Sequence, residues 1–225
     1  MTPEQLTGKT EQHLTELTLD GRTLLLHRKA TSAWLALHTK AQQAGFELAL
    51  ASGFRGYERQ AAIWNGKFSG QRAMLDNTGE PLDSQTLSDE DKIKAILRWS
   101  ALPGASRHHW GCDFDVYARN MLPSTVQLQL EPWEYQSGHQ QEFYLWLQET
   151  LPSLEFFFPY DCDRGGVAAE PWHISYAPIS EPALNSLSVA LIHSALKQDP
   201  ILGQQSVLSC LDDIYQTYVT NIGCA

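Results

Sequence analysis

The spacing of apolar residues in the first third of the chain predicts a helix followed by a strand. Residues 31–44 place Trp34, Leu37 and Ala41 at helical intervals, which is typical of a helix with one buried face. Residues 46–51 then alternate large apolar side chains with Glu or Ala, as the two faces of a strand do. We therefore expect a helix that leads directly into a strand.

The middle of the chain is predicted to hold two helices separated by a long loop. Residues 56–68 return to helical spacing, whereas residues 69–87 are rich in Gly, Asn, Asp, Ser and Pro and are predicted to form a loop. Loops of this length tend to be functional or mobile. Residues 88–102 begin with Ser88, a preferred N-cap residue, followed by acidic side chains that favour a helix N-terminus.

The second half of the chain mixes strands with helices. Residues 112–117 alternate so that Cys, Phe and Val face one way and Asp, Asp and Tyr face the other. A short helix is predicted at 142–151, a strand at 171–176, and two helical stretches at about 181–197 and 204–221. This order of elements indicates an α+β fold. No glycine-rich nucleotide-binding loop favours a parallel, doubly wound sheet instead.

The composition indicates how many domains the chain forms, and the net charge limits the classes of partner that it can bind. The 225 residues are 43% hydrophobic and 19% charged, so we expect one domain spanning 1–225, with a core at about 31–178 and a C-terminal helical extension at about 180–225. The net charge of −10 disfavours nucleic acid and anionic lipid as main partners. No apolar run approaches the ~18 residues that a membrane span needs.

The N-terminal sequence and the cysteines indicate the cellular compartment of the protein. The first residues lack the charged-then-apolar pattern of a signal peptide, so we expect a cytoplasmic protein, or a periplasmic one if a leader has been removed. The cysteines show no CxxC pairing and are predicted to be reduced, mostly buried thiols: Cys112, Cys162, Cys210 and Cys224.

Two histidines and an aspartate form a candidate metal site. Asp115 follows His108 by seven residues with Gly111 between them, so a turn can present the imidazole while the next strand presents the carboxylate. His173 lies on a separate predicted strand. Two His and one Asp would supply three ligands to zinc and leave a fourth position for water, which is the arrangement of a catalytic site.

A glutamate is placed to act as a base beside the third ligand. Glu170 precedes His173 by three residues, and Pro171 restricts Glu170 toward extended geometry. Zinc lowers the pKa of water to ~7, so a nearby glutamate can complete the deprotonation and pass the proton to a leaving amine.

Simpler interpretations of these residues exist. A histidine beside a tryptophan in a strand is more often a packed core residue than a metal ligand. His108 and His109, with Asp113 and Asp115, would also fit a solvated loop and an edge strand. Spacing alone does not decide between a metal site and these alternatives.

Three segments, in order, resemble motifs of the M15 zinc peptidases. The segment "SRHHWGCDFD" resembles the S-x-H-x-x-G-x-x-x-D motif of this family, the D-alanyl-D-alanine carboxypeptidase and dipeptidase group that includes the VanY-like vancomycin-resistance enzymes. The segment "EPWH" resembles its E-x-W-H motif, and "SGFRGYERQ" resembles its S-G-[YF]-R-S-x-x-x-Q motif. The resemblance spans about residues 46–176, and three ordered motifs are far more specific than one.

The resemblance implies roles for individual residues. It implies that one zinc ion per chain is bound by His108, Asp115 and His173, and that Glu170 is the catalytic base. It also implies that Arg55 contacts the substrate and stabilises the developing oxyanion, a kind of contribution worth ~3 kcal/mol. The residues implied to lie near the substrate are Ser106, Gln60 and Trp172.

The resemblance further implies a fold and an activity. The implied fold is a small antiparallel sheet that carries the zinc site and is flanked by helices. The implied activity is hydrolysis of the terminal peptide bond of a peptidoglycan stem peptide, which releases a D-amino acid such as D-alanine. DD-carboxypeptidases, LD-carboxypeptidases, dipeptidases and endopeptidases of the family share these motifs, so the specificity and the oligomeric state stay open.

The chain departs from the family pattern at two positions, and a third residue is a rival ligand. Gly56 replaces the usual Ser after Arg55, and Asp113 stands where many relatives have a small apolar residue. Asp113 is either a partner that holds a ligand imidazole or a solvated charge. His109 is the rival of His108, which is preferred because the family places its ligand three residues before the Gly.

Two other classes of function compete with the peptidase. One is a catalytically silent binding module with the same fold, like the Hedgehog signalling domain, but Glu170 would then have no use. The other is a non-haem iron oxygenase, which also uses two His and one carboxylate. Such sites typically place the first His and the carboxylate two residues apart, whereas the separation here is seven.

Overall fold

A computed structural model describes residues 1–19 and 21–224. The strands are β1 Leu14–Leu19, β2 Arg22–His27, β3 Leu48–Ser52, β4 Met74–Leu75, β5 Pro81–Leu82, β6 Asp113–Ala118, β7 Phe156–Phe157 and β8 His173–Tyr176. The helices are α1 Pro3–Leu6, α2 Thr31–Gln43, α3 Tyr57–Phe68, α4 Asp89–Trp99, α5 Pro132–Gln136, α6 Gln141–Thr150, α7 Ala177–Ser186, α8 Val189–Gln198, α9 Gln204–Ser209 and α10 Leu211–Ile214. Shorter helical turns lie at Arg28–Ala30, Arg107–Trp110, Arg119–Met121, Leu151–Leu154 and Tyr215–Val219.

A four-stranded antiparallel sheet forms the centre of the fold, with strand order β3-β6-β8-β7. In this register Asp115 of β6 lies opposite His173 of β8 on one side and Ser52 of β3 on the other. A register shift between Leu50 and Ser52 interrupts the β3–β6 pairing next to Asp115. The predicted α+β fold, with a small antiparallel sheet flanked by helices, is confirmed.

One face of the sheet is apolar and packs against helices. The opposite face carries polar side chains. Phe114, Val116 and Ile174 are each at most 1% exposed and pack in one cluster with Trp34 of α2 and Phe143 of α6. Because side chains alternate along a strand, their neighbours on β6 and β8 project from the opposite face. The predicted alternation over 112–117 therefore places two aspartates on that face, and the pairing of β6 with β8 adds a histidine beside them.

Several predicted elements are confirmed with small shifts. Helix α2 matches the predicted 31–44 helix, and Ser88 caps α4 by accepting a hydrogen bond from the backbone N–H of Asp91. The predicted loop at 69–87 is partly wrong, because it contains the short hairpin β4–β5. In that hairpin's turn the Asp76 carboxylate accepts the backbone N–H groups of Thr78 and Glu80, which orders the polar segment locally.

An N-terminal hairpin was not predicted. Strands β1 and β2 pair from Leu14 opposite His27 to Leu19 opposite Arg22, and the intervening Asp20 lies outside the described residues. The end of this hairpin contacts the turn before β6, because the backbone N–H of His27 donates to the carbonyl of Gly111 at 2.7 Å. The hairpin thus supports the turn that leads into the central sheet.

The C-terminal helices are more broken than predicted. The stretch at 181–197 divides at Leu187–Ser188, where the Ser188 hydroxyl accepts the backbone N–H of Leu191 and begins α8. The stretch at 204–221 becomes α9, α10 and a π-helical turn. The apolar side chains of this stretch nevertheless pack within the chain, because Val207, Leu211 and Ile214 join a second core cluster. Within the described ranges, every helix is too short or too polar to cross a bilayer.

All four cysteines are free, as predicted. The expectation that they are mostly buried is wrong, since only Cys112 is buried, while Cys210 is half-buried and Cys162 and Cys224 are exposed. Burial of Cys112 follows from its place just before β6, where it contributes to the second core cluster.

A glycine near the N-terminus tests how tightly this part of the fold is packed. Gly8 has φ of 75°, and a methyl group there would overlap the His109 imidazole, which is 0% exposed. Gly8→Ala should lower the free energy of unfolding by about 2–4 kcal/mol, through left-handed strain plus overpacking.

Gly45→Ala is the matched control, because Gly45 has φ of 85° with nothing within 4 Å of the added methyl group. It should cost only about 1–2 kcal/mol, the strain alone. Urea unfolding monitored by tryptophan fluorescence measures both. Equal losses for the two variants would contradict the packing at Gly8.

Candidate active site

The three predicted ligands converge at the polar face of the central sheet. Asp115 and His173 are cross-strand partners, so their side chains leave the sheet side by side. His108 lies on the turn Arg107–Trp110, which ends at Gly111 in the left-handed conformation with φ of 68°. That glycine reverses the chain into β6 and brings His108 over Asp115. Metal-ligand atoms of the three residues lie within 4.8 Å of one another.

The donor types of this group, two imidazoles and one carboxylate, fit a zinc ion, and each histidine has a ring nitrogen close to a carboxylate oxygen of Asp115. Nε2 of His108 is 3.4 Å from Oδ2 of Asp115, and Nδ1 of His173 is 3.2 Å from Oδ1 of Asp115. Ligand atoms of a tetrahedral zinc lie roughly 3.3–3.6 Å apart, given bond lengths of about 2.0–2.2 Å. Within the described residues, the buried Oδ1 of Asp115 also lacks a hydrogen-bond partner. The site could therefore hold a metal ion.

Asp113 orients the third candidate ligand. Its Oδ1 lies 3.0 Å from Nε2 of His173 and 2.7 Å from Nε of Arg107, and both Asp113 and Arg107 are at most 3% exposed. Burial alone would raise the pKa of the Asp113 carboxyl, but Arg107 and His173 hold that pKa below its ordinary value. An ionised Asp113 accepts the proton on Nε2 of His173, which leaves the Nδ1 lone pair facing Asp115.

Arg107 completes this buried arrangement and was not singled out from the sequence. Its Nη2 donates to the Ser175 hydroxyl at 2.7 Å, so the guanidinium links β8 to the turn that carries His108. A buried carboxylate without a cation would be strongly unfavourable. Asp113 stands on a predicted strand where many relatives have a small apolar residue. That substitution was the one signal in the sequence from which a buried cation nearby could have been predicted.

His109, the rival of His108, points away from the candidate metal site. Its Nε2 accepts the backbone N–H of Gly104 at 3.1 Å, so the ring proton lies on Nδ1 and is donated to the Arg55 carbonyl at 2.6 Å. Burial lowers the pKa of His109 to about 3, which keeps the ring neutral. With both ring nitrogens bonded to backbone, His109 fastens the turn to the segment that carries Arg55.

Glu170 reaches the same point from a tight turn. The backbone N–H of His173 donates to the Glu170 carbonyl at 3.0 Å, which closes a β-turn with Pro171 in its second position, where its fixed φ is favourable. Oε2 of Glu170 then lies 3.3 Å from Nδ1 of His173. The turn accounts for the close spacing of the two side chains, since it brings both to one side of β8.

Arg55 lies beside the candidate ligands and is held by its neighbours. Its Nη2 is 4.0 Å from Oδ2 of Asp115 and donates to the Ser52 hydroxyl at 2.9 Å, while Nη1 donates to Oε1 of Gln60 at 2.8 Å. Gln60 is 0% exposed and also donates to the Ala101 carbonyl at 2.7 Å. Gln60 therefore positions Arg55 from behind. It does not line the cavity, although the resemblance implies that it lies near the substrate.

A cavity of about 290 Å³ opens onto these residues. Of the residues expected near the substrate, Ser106 and Trp172 line it, and the buried Ser106 hydroxyl has no partner within the described chain. Lys67, at the end of α3, also lines it, and so do Tyr218 and Val219 of the C-terminal π-helical turn. None of these last three residues was assigned to the site from the sequence.

One wall of the cavity is held in a strained conformation. Leu130 lines the cavity with φ of 58°, a value that costs a non-glycine residue about 1–2 kcal/mol. The backbone N–H groups of the two residues that flank Leu130 both donate to the buried carboxylate of Glu134. The distances are 3.2 Å from Gln129 and 2.9 Å from Glu131. These bonds offset the strain and fix this wall of the cavity.

The two adjacent histidines give the first test of the site. His108→Ala should lose stoichiometric zinc binding, because one of three ligands is removed. His109→Ala should keep it but lower the free energy of unfolding by about 2–4 kcal/mol, because a buried, hydrogen-bonded ring is lost. Metal content by atomic emission and urea unfolding measure the two effects. Retention of zinc by His108→Ala would refute the assignment.

Asp113 gives a second test. Asp113→Asn removes the charge that orients His173 and leaves Arg107 buried without a carboxylate, so zinc affinity should fall about 10- to 100-fold. Competition with a chromophoric chelator measures the dissociation constant. Asp161→Asn is the control, because Asp161 is an exposed residue paired with Arg164 and does not line the cavity. Equal affinity of the Asp113→Asn and unsubstituted proteins would contradict this role.

Comparison with known proteins extends these observations to the whole fold. A family model described as VanY, D-alanyl-D-alanine carboxypeptidase, matches residues 23–179. An uncharacterized protein of Haemophilus influenzae is 39% identical over 121 residues, which are 52% of this chain and 92% of that protein.

Two solved structures share the fold at low sequence identity. A vancomycin-resistance D,D-pentapeptidase, VanY, in complex with Zn(II) is 22% identical with a TM-score of 0.51, covering 88% of this chain and 92% of that chain. The LdcB LD-carboxypeptidase is 20% identical with a TM-score of 0.52, covering 86% of this chain and 76% of that chain. The resemblance found in three motifs thus extends over most of the chain. Because the family model matches well over half of its residues, the chain belongs to the VanY family of D-alanyl-D-alanine carboxypeptidases.

Proposed function

We propose that this protein is a zinc-dependent carboxypeptidase that hydrolyses the terminal peptide bond of a peptidoglycan stem peptide and releases a D-amino acid such as D-alanine. The observation that carries the proposal is the convergence of His108, Asp115 and His173, with Oε2 of Glu170 only 3.3 Å from Nδ1 of His173. One structural neighbour is a D,D-pentapeptidase in complex with Zn(II), and another, the LdcB LD-carboxypeptidase, recognises peptidoglycan. Both support zinc and peptidoglycan as the cofactor and the substrate source.

The proposed mechanism assigns one chemical task to each side chain. Zinc, when bound by His108, Asp115 and His173, would supply Lewis acidity that polarises a carbonyl group and makes water acidic near pH 7. Glu170 takes the proton of the attacking water on a carboxylate oxygen and passes it to the leaving amine. Arg55 faces the reacting carbonyl with a fixed positive charge and stabilises the negative charge that develops on its oxygen.

The surroundings of these residues favour that chemistry. Gln60 and Ser52 hold Arg55 in place before substrate binds, so little reorganisation is needed during the reaction. Asp113 fixes the tautomer of His173 from the far side of the ring. Burial of all three proposed ligands keeps bulk water away and strengthens the electrostatic interactions inside the site.

The alternative of a silent binding module lacks a supporting observation of its own. Glu170 is 13% exposed in its side chain and faces the cavity beside His173. Hydrolysis requires a base at this position, and Glu170 supplies a carboxylate there. The carboxypeptidase family match likewise gives no support to an iron oxygenase.

Removal of the base is the central test. Glu170→Gln should retain about one zinc per chain and lower kcat by roughly 100- to 10,000-fold, because general acid–base catalysis contributes that much. Mass spectrometry of defined muropeptides with four- and five-residue stems measures D-amino acid release and shows which bond is cut. Glu149→Gln, at an exposed position on α6, is the matched control.

Metal removal completes this test. Dialysis against a chelator should abolish release of the D-amino acid, and added zinc should restore it. Full activity of metal-free protein, or unchanged kcat in Glu170→Gln, would refute the proposed function.

A further inference from the structure

Lys67 lies on the face of α3 that borders the proposed active site. It follows Gln60 by seven residues, which is close to two full turns of an α-helix, so the two side chains leave the same face about 10 Å apart. Gln60 at one end of this face holds Arg55 beside Asp115. Lys67 at the other end lines the same cavity as Arg55 and Glu170.

Lys67 is the one cation lining this cavity whose side chain has no partner within the described residues. Arg107 is paired with the Asp113 carboxylate at 2.7 Å. Arg55 donates to Gln60 and Ser52 and lies 4.0 Å from Asp115. The ammonium of Lys67 makes no hydrogen bond or ion pair within the described chain.

The partial burial of Lys67 is unfavourable for folding unless a ligand pairs with its positive charge. Lys67 is half-buried, and burial lowers its pKa, while the negative charge of Glu170 acts in the opposite direction. Both charges therefore act across the same cavity. A partly desolvated cation without a direct ion-pair partner is unfavourable, and such unfavourable features concentrate at functional sites.

The charge of the whole chain makes a local cation useful for an anionic substrate. The net charge of −10 repels anions at long range, and the other two cations that line the cavity, Arg55 and Arg107, are already engaged with neighbouring side chains. A peptide that ends in a free carboxylate therefore needs a positive group close to where that carboxylate binds. Lys67 meets this need without disturbing the groups that hold Arg55.

We propose that Lys67 is a specificity-determining residue that binds a carboxylate of the peptide substrate through an ion pair in the cavity. This assignment rests on the proposed function, since it places an anionic peptide in the same site. The carboxylate is either the terminal one or that of an acidic residue within the peptide. The two sources present the same chemistry to an ammonium group and are separated by experiment.

Binding of intact peptide to the Glu170→Gln protein, loaded with zinc, tests the proposal. The probes are three synthetic pentapeptides that end in D-Ala-D-Ala and contain one acidic residue: the parent, the same peptide with an amidated C-terminus, and the same peptide with its acidic side chain amidated. Isothermal titration calorimetry measures each dissociation constant with and without Lys67→Met, which removes the charge and keeps an unbranched side chain.

Lys67→Met should weaken binding of the parent peptide about 10- to 100-fold, the range for a charged hydrogen bond. One of the two amidated peptides should bind the two proteins almost equally, and that peptide identifies the carboxylate that Lys67 binds. Lys67→Arg should restore most of the affinity for the parent. Arg72→Met is the control, because Arg72 is an exposed cation close to the end of α3 that does not line the cavity.

The failures of the two proposals are distinguishable. Parent-peptide binding that Lys67→Met leaves unchanged, or an equal loss for all three peptides, would overturn the assignment of Lys67 and leave the proposed function standing. Lack of binding by the zinc-loaded Glu170→Gln protein itself, together with lack of cleavage by the unsubstituted protein, would overturn the proposed function. Thermal melting checks that each Lys67 variant is folded.

Discussion

The pairing of β6 with β8 is the interaction on which the site depends. A single register places Asp115 directly opposite His173, and it also places Asp113 opposite Ser175 on the same face. A slip of one residue would turn the aspartates into the apolar core and Phe114 toward the cavity. The apolar partners Phe114 and Ile174, packed under α2 and α6, therefore enforce the geometry of the polar groups on the other face.

The polar face carries a chain of buried polar contacts that begins at an ion pair. Arg107 neutralises Asp113, Asp113 orients His173, and His173 lies between Asp115 and Glu170. The buried charges of Arg107 and Asp113 would each be costly alone, and each compensates the other. Since the hydrogen bonds of Asp113 and Arg107 join β6, β8 and the preceding turn, these charges also fix the relative positions of the elements that carry the candidate ligands.

Much of this arrangement could be predicted from the sequence, because local patterns encode strand faces and helix ends. Alternation in "GCDFDVY" separated Phe114 and Val116 from the two aspartates, and Ser88 marked the start of α4. The N-terminal hairpin was missed although Asp20-Gly21 between two apolar, Thr-rich segments is a known turn signal. The break at Ser188 was missed because a serine inside an apolar stripe can either continue a helix or cap a new one.

Long-range relations could not be predicted in this way. Nothing local shows that His109 is bonded through both ring nitrogens to backbone from two other segments, so the choice of His108 depended on the family motif. The pairing of Arg107 with Asp113, and the arrival of Lys67 in the cavity, likewise depend on how separate elements pack. Gln60 shows the same limit, since its motif position suggested a substrate contact and its burial makes it a support for Arg55.

The C-terminal π-helical turn contributes to the cavity from outside the segment that carries the family motifs. Tyr218 and Val219 border the cavity, yet they lie about forty residues beyond the last position that the family model matches. The reactive groups and part of the pocket lining are thus encoded by separate stretches of the chain. A substitution at Tyr218 or Val219 would therefore change the shape of the cavity without altering any residue of the three motifs.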